Sequence, residues 1–151
     1  MDPKVPPQSL EAEASLLGSL LIDSDAIVKI ADSIRPEDFY DERHRYIYEA
    51  ALALYDRHSP NDILTLTDQL KNKDLLDVVG GASYVTELTN FVPTAAHVEQ
   101  YAEIISTKAM RRRLIKASQD ITSFSYDEAR GFKELVEEAE ARLFEVSQRH
   151  V

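Results

Sequence analysis

The sequence contains no cysteine, few glycines and no long apolar run. Without cysteine the chain can form neither a disulfide nor a reactive thiolate, which is the ordinary situation for a protein of the reducing cytosol. Four glycines and six prolines among 151 residues also exclude a low-complexity chain. The first apolar run, residues 16–22, is interrupted by Gly18 and Ser19. It is too short to cross a bilayer, so we expect neither a signal peptide nor a transmembrane span.

Positive charge is also scarce. The 17 lysines and arginines are outnumbered by 27 aspartates and glutamates, which gives a net charge of -10 and a pI of about 4.8. Phosphate binding needs a basic face, so this balance argues against the whole domain being a nucleic-acid platform. The local exception is Arg111-Arg112-Arg113. We interpret it as a solvated face paired with the acidic helix that follows, and direct DNA contact stays open as the alternative.

Apolar residues recur at steps of three and four along the chain, and no segment keeps the alternation of a strand. With 44% hydrophobic residues the chain can bury a core. We therefore predict an all-α fold, a compact bundle of about five short helices followed by a protruding antiparallel helical hairpin. Residues 1–93 form the globular body, with an extended arm over residues 1–8, and residues 94–151 form the hairpin.

Local signals place the first helices of the body. Ser9 is suited to cap a helix whose buried stripe begins at Leu10. We interpret Gly18 within it as a tolerated glycine, and a close helix crossing at this residue stays open as the alternative. The isoleucines of residues 27–34 predict a second, short helix that stops before a proline. Asp41 is suited to cap the third helix.

The hairpin is predicted from two long amphipathic segments. The first helix covers residues 94–124, capped by Thr94, and the second covers residues 127–149. Ser125 and Glu128 between them fit a capping box for the second helix. Because the break is short, the helices fold back antiparallel, and the basic first helix faces an acidic second one.

A row of apolar residues on both helices predicts self-association. On the first helix the row shifts by one position near Met110, a rotation of ~100°, so this helix has two partners. A hairpin buries only one side of each helix, so a lone copy leaves apolar residues in water. The self-association seam that we assign comprises Met110, Leu114, Ala117, Phe132, Val136, Ala139 and Leu143.

The sequence has no pattern typical of catalysis or of metal binding. Gly80-Gly81 is not followed by a lysine, so we interpret it as a helix-start turn and not as a phosphate loop. The four histidines are too scattered for a zinc site and are interpreted as surface residues. Acidic pairs near His44 are interpreted as helix caps and not as general acids. We expect no catalysis by this chain and no cofactor or metal within it.

Tyr84, Ile115 and Ile121 are candidates for a protein-binding patch. Ile115 lies beside Leu114 and off the main stripe, where an antiparallel pair of helices leaves it exposed. Tyr84 follows a turn on a short helix, and Ile121 belongs to the seam. Aromatic and large apolar residues of this kind often anchor a partner. A plain core role stays open for each of the three.

Seven segments carry a family resemblance over nearly the whole chain. They are Pro6-Pro7-Gln8-Ser9-Leu10-Glu11-Ala12-Glu13, Leu16-Leu17-Gly18, Pro36-Glu37-Asp38-Phe39-Tyr40, His44, Gly80-Gly81-Ala82-Ser83-Tyr84, Val92-Pro93-Thr94-Ala95-Ala96 and Arg112-Arg113-Leu114-Ile115. In this order and spacing they resemble the amino-terminal domain of the bacterial replicative DNA helicase, the DnaB family. The combination is quite specific, although each segment alone is weak.

The resemblance implies a collar domain of a hexameric ATP-dependent helicase. In that family the amino-terminal domains pair through their hairpins, as a trimer of dimers, and receive the carboxyl-terminal domain of primase in the primosome. Carried across, the primase-binding positions fall on Tyr84, Ile115 and Ile121. A helicase loader is a further possible partner, and the place of action is the bacterial cytoplasm at the replication fork.

The family's ATPase domain has no counterpart in these 151 residues. The resemblance therefore implies that ATP, magnesium and single-stranded DNA bind to another part of the parent protein. Two other functions stay open. One is a nucleic-acid-binding module that uses Arg111 to Arg113, and the other is an all-helical adaptor unrelated to replication.

Overall fold

The computed structural model describes residues 4–150, except for the side chain of residue 150. Over these residues there are α-helices and short 3-10 turns and no strand, so the predicted all-α fold is confirmed. The α-helices are Leu10–Ile22 (α1), Glu42–Asp56 (α2), Ile63–Asn72 (α3), Gly81–Leu88 (α4), Val98–Ser125 (α5) and Phe132–His150 (α6). The 3-10 turns are Ala26–Lys29, Pro36–Asp38 and Thr89–Phe91.

The chain divides into two compact units. One, which we call the body, is Gln8–Ser106. The other, which we call the hairpin unit, comprises residues 107–150 together with residues 4–7. Helix α5 begins in the body and ends in the hairpin unit.

Three helices of the body begin at side-chain caps. The Ser9 hydroxyl accepts a hydrogen bond from the amide of Ala12, and the Asp41 carboxylate accepts one from the amide of Arg43. Asp62 and Thr65 form a reciprocal capping box at the start of α3. Each cap satisfies an amide that the first helical turn cannot pair internally, so the caps predicted at Ser9 and Asp41 are confirmed.

Helix α1 is the centre of the body, because it is buried almost all round from Ala12 to Leu21. The prediction that its buried stripe begins at Leu10 is wrong, since that side chain is 46% exposed. Leu10 is the first helical residue and lies before the stretch that other elements cover. The interpretation of Gly18 as a merely tolerated glycine is also wrong, and its alternative, a close crossing, is confirmed. A Cβ at Gly18 would collide with the main-chain carbonyl of Leu88, so only glycine allows this approach.

Residues 27–34 do not form the predicted second α-helix. Ala26–Lys29 is a 3-10 turn, in which the amide of Ile30 bonds to the carbonyl of Ile27 at 3.1 Å. A spacing of three between isoleucines suits a 3-10 turn as well as an α-helix, since 3-10 residues three apart share a side. Ile27, Ile30 and Ile34 are nevertheless buried in the core.

The long helices begin and end at residues other than those predicted. Helix α5 begins at Val98, because the Thr94 hydroxyl accepts from the amide of Ala96 and holds a turn ahead of the helix. The prediction of a capping box at Ser125 is wrong, because this residue is the last of α5 and its hydroxyl donates to the carbonyl of Ile121. Asp127 instead stabilises a turn through the amide of Ala129.

Helices α5 and α6 run antiparallel. Asp120 of α5 forms an ion pair of 2.7 Å with Arg142 of α6. Nearer the connection, the guanidinium of Arg130 lies 5.4 Å from the ring centre of Phe124. As the residue number rises from 120 to 124 on α5, the number of the contacting residue falls from 142 to 130, which is the pattern of an antiparallel pair.

Candidate protein-interaction surfaces

The predicted seam residues occupy different environments in the hairpin unit. Ala117 is buried, and Met110 and Ala139 are partly buried. The other four are exposed, to 80% for the most open of them, Phe132. We call this exposed set the hairpin face: Leu114, Phe132, Val136 and Leu143.

The α6 members of the hairpin face share one side of their helix. Phe132, Val136 and Leu143 are separated by four and seven residues, which is the spacing of neighbours along a helix. Phe144 is also exposed, but one residue after Leu143 lies ~100° further round. The hairpin unit therefore has a continuous apolar row in water along α6, a feature that commonly marks an interaction site.

Another surface of the hairpin unit, which shares Leu114 with the hairpin face, is a shallow groove along α5 with a volume of about 580 Å³. Ile115 lines it and is 45% exposed, whereas Ile121 does not line it and is partly buried. The structure thus separates these two predicted partner-binding isoleucines. The groove, which we call the α5 groove, is lined by Leu114, Ile115, Ser118, Gln119, Thr122, Ser123 and Tyr126.

Basic residues of α5 are largely engaged within the hairpin unit. Arg112 donates to the carbonyl of Pro7 at 2.8 Å, and Lys116 pairs with Asp120 at 2.8 Å. The hydrogen bond from Lys116, with the charges of Lys116 and Arg142, lowers the pKa of Asp120. In the pair between Asp120 and Arg142, α5 supplies the acid and α6 the base. This polarity is the reverse of the predicted one.

The body contains a buried polar chain that the sequence did not predict. Glu13 of α1 and His44 of α2 are each 2% exposed, with Oε1 of the glutamate 2.8 Å from Nδ1 of the histidine. The same carboxylate accepts from the amides of Tyr40 and Asp41. On the other side, Nε2 of His44 lies 2.6 Å from the hydroxyl of Tyr84 on α4. Three helices are therefore joined by one hydrogen-bonded chain.

The interpretation of His44 as a surface residue is wrong. Its position carried a signal, because His44, Ile47, Ala51 and Leu54 follow the three-four spacing of the buried side of α2. A polar residue on a buried stripe needs a partner, and Glu13 supplies it.

Arg43 covers the outer end of this chain. Its guanidinium carbon lies 4.3 Å from the ring centre of Tyr84, within the range of a cation–π contact. Nε and Nη2 of the same group donate to both carboxylate oxygens of Asp41. Burial raises the pKa of Tyr84, although the charge of Arg43 acts in the opposite direction. Tyr84 is therefore held from below by His44 and covered by Arg43.

Within the part of the chain that the structure describes, no three histidine, cysteine or acidic side chains lie close enough together to hold a metal ion. Over the same residues, none of the helices combines the length and apolar character that crossing a bilayer requires.

Comparisons with known proteins place this fold. A family model described as DnaB-like helicase N terminal domain matches residues 5–107. A replicative DNA helicase DnaC of Bacillus subtilis is 41% identical over 149 residues, which cover 99% of this chain and 33% of the relative. A replicative DNA helicase DnaB of Geobacillus stearothermophilus is also 41% identical, over 97% of this chain and 32% of its own length. The chain thus spans about a third of these relatives.

Two solved structures share the fold. The crystal structure of the N-terminal domain of DnaB helicase from Mycobacterium tuberculosis has a TM-score of 0.89 and 40% identity, covering 94% of this chain and 99% of that one. A DnaB-like replicative helicase, described together with its interactions with primase, has a TM-score of 0.76 and 25% identity over 91% of this chain and 31% of that one.

The helical body and antiparallel hairpin are thus those of the amino-terminal domains of replicative helicases. The chain belongs to the family of DnaB-like helicase N-terminal domains. The resemblance of its motifs to that family is confirmed.

Proposed function

We propose that this chain is the collar domain of a hexameric, ATP-hydrolysing replicative DNA helicase in the bacterial cytoplasm. The domain assembles subunits and receives primase, and it performs no catalysis of its own. ATP, magnesium and single-stranded DNA bind to the motor domain of the parent protein. The family match over residues 5–107 and the replicative helicase that aligns with 99% of this chain support this proposal.

The observation that carries the proposal is the apolar surface of the hairpin unit. Burial of apolar area stabilises an association by roughly 25 cal/mol per Å². The hairpin face offers four large apolar side chains to a second copy of the chain. Pairing of two hairpins would cover them, and dimers paired in this way would form the trimer of dimers of a six-membered ring.

Primase docking is proposed at the α5 groove and at Tyr84. The groove exposes Ile115 and, about three helical turns further along, Tyr126, and large apolar and aromatic side chains of this kind often anchor a partner. The DnaB-like helicase whose structure is described with its primase interactions supports primase as the partner. Ile121 is better suited to the packing of α5 against α6, since it is partly buried and lies outside the groove.

The test of primase docking is Ile115→Asn. We expect the affinity for the carboxyl-terminal domain of primase to fall about tenfold or more, with little change in the melting temperature, because the side chain is nearly half exposed. Titration calorimetry measures the affinity. The matched control is Leu64→Asn on α3 of the body, where an equally apolar side chain is 78% exposed. Equal affinity for the Ile115 variant and wild type would refute docking at the α5 groove.

A further inference from the structure

The hydroxyl of Tyr84 is engaged inside the body, so its neighbour Arg43 is the better candidate for contact with a binding partner. Its hydroxyl lies 2.6 Å from Nε2 of His44, and the other nitrogen of that ring lies 2.8 Å from buried Glu13. The short hydrogen bond of the Tyr84 hydroxyl is therefore the one to His44, inside the body. The hydroxyl of Tyr84 is thus used to hold the fold.

Of the two contacting residues Arg43 and Tyr84, Arg43 is the one with a charged group exposed to solvent. Its side chain is 43% exposed, and its guanidinium lies against the ring of Tyr84 at 4.3 Å. The Asp41 carboxylate fixes the guanidinium further through Nε and Nη2, at 3.2 and 2.9 Å. A guanidinium has five N–H donors in a rigid plane, so donors remain beyond those that bind Asp41. Its orientation is set before any partner arrives.

We propose that Arg43, held in place by Tyr84 and Asp41, is the residue at this site that binds the docking partner. Arg43 is the contact, and the Tyr84 hydroxyl and His44 are positioning groups. The inference rests on the primase-docking role of Tyr84 proposed above. It adds a specific contact residue on α2 and the chemistry that this residue recognises.

The charges around Arg43 define the partner's chemistry. Asp41 already pairs with the guanidinium, and the charge of Glu87 acts on it as well. A carboxylate of the partner would therefore approach two negative side chains, which opposes its binding. Neutral oxygen acceptors avoid this repulsion. The carbonyls at the carboxyl end of a helix lack donors of their own and fit the remaining N–H groups of Arg43.

The experiment compares two substitutions in the 151-residue chain, with the carboxyl-terminal domain of primase as the probe. Arg43→Ala removes the proposed contact, and we expect affinity to fall about tenfold, with the melting temperature lower by only a few degrees because the ion pair with Asp41 is lost. Tyr84→Phe keeps the ring beneath Arg43 but removes the hydroxyl. We expect a lower melting temperature, because Nε2 of His44 loses its partner, and an affinity within about twofold of wild type.

Two controls complete the test. Lys71→Ala removes an exposed cation from α3, and its binding should match wild type. Arg43→Lys keeps the charge but loses the planar fork, and it should bind nearly as weakly as Arg43→Ala. The loss caused by Arg43→Ala should persist between about 0.05 and 0.3 M salt, since neutral acceptors are little affected by screening.

Three results would overturn the proposal. The first is normal binding by Arg43→Ala together with lost binding by Tyr84→Phe, which would make the hydroxyl the contact. The second is an Arg43→Ala loss that disappears in high salt, which would indicate a carboxylate partner. The third is unchanged binding by every variant at Arg43 and Tyr84. If Ile115→Asn still weakens binding in that case, the inference fails and docking at the α5 groove stands.

Discussion

At the residue scale, Asp41 combines two roles at the start of α2. It caps the helix through the amide of Arg43 and pairs with the guanidinium of the same residue. Burial acts to raise the pKa of Asp41, but the hydrogen bond from Arg43 and the neighbouring positive charges outweigh it and lower the pKa from 3.8. A lowered pKa in the folded state means that the carboxylate stabilises the fold at neutral pH.

We therefore predict a pH-dependent effect of Asp41→Asn. Asparagine preserves the cap but not the charge, so the free energy of unfolding at pH ~7 should fall by about 1 kcal/mol. This difference should shrink as the pH falls below 3.8 and vanish once the pH has fallen through the lowered pKa of folded Asp41, because the wild-type carboxylate is then protonated. Urea denaturation at several pH values measures it. Asp62→Asn is the control, a cap whose side chain bonds to Thr65 and not to an arginine. A loss that is equal at all pH values would contradict the prediction.

Asp74 is a second residue whose contribution to stability can be tested, because its backbone is strained. It follows α3 with a φ of 58°, the left-handed conformation, while the amide of Leu75 bonds back to the carbonyl of Leu70. Glycine adopts this conformation without steric strain. We expect Asp74→Gly to raise the free energy of unfolding by about 0.5–1 kcal/mol, measured by thermal denaturation. Asp74→Ala retains the strain and should not stabilise. A lower melting temperature for the glycine variant would contradict this prediction, because it would show that the Asp74 side chain stabilises the fold by more than the backbone strain costs.

Individual residues differ in how far they could be predicted. The caps at Ser9 and Asp41 follow from chemistry within three residues, so local sequence suffices. His44 needed knowledge of Glu13 and Tyr84, which lie 31 and 40 residues away in sequence. Such a network becomes visible only when the helices are packed together.

At the scale of elements, the crossing of α1 over the end of α4 depends on one missing side chain. Gly18 approaches the carbonyl of Leu88, the last residue of α4. Gly18→Ala should gain ~1 kcal/mol of helix propensity but lose more through overpacking, about 1–3 kcal/mol. We expect a net fall in the melting temperature. Gly131→Ala is the control, since a Cβ there meets no atom within 4 Å. A stabilised Gly18→Ala would mean that the helices separate at little cost.

The helices themselves could be predicted better than their ends. Periodicity identified α1, α2, α5 and α6, because an apolar stripe persists over several turns in each of them. The capping box at Ser125 failed because the same residues also fit one more turn of α5. Choosing between a cap and a longer helix depends on small energy differences at one turn, which the residue pattern does not resolve.

At the scale of the whole molecule, periodicity alone could not tell which residues of the predicted seam are buried within the hairpin unit and which are exposed. Leu114 and Ala117 share the predicted stripe, yet the first is 47% exposed and the second is buried. Residues that pack inside a hairpin and residues that face another copy carry the same apolar pattern. Only the packing of α5 and α6 distinguishes them, and it leaves the hairpin face in water.

The hairpin face makes a prediction about assembly. Val136 and Leu143 are 38% and 45% exposed on one side of α6. Val136→Glu with Leu143→Glu places two charges where a second copy would bury them, at a cost of several kcal/mol. We expect wild type to sediment as a concentration-dependent oligomer and the double variant to remain monomeric with unchanged helical circular dichroism. Phe144→Glu is the control, because Phe144 is 62% exposed but lies ~100° from Leu143 round the helix. If the double variant sediments as wild type while Phe144→Glu dissociates, the subunits join through a different side of α6.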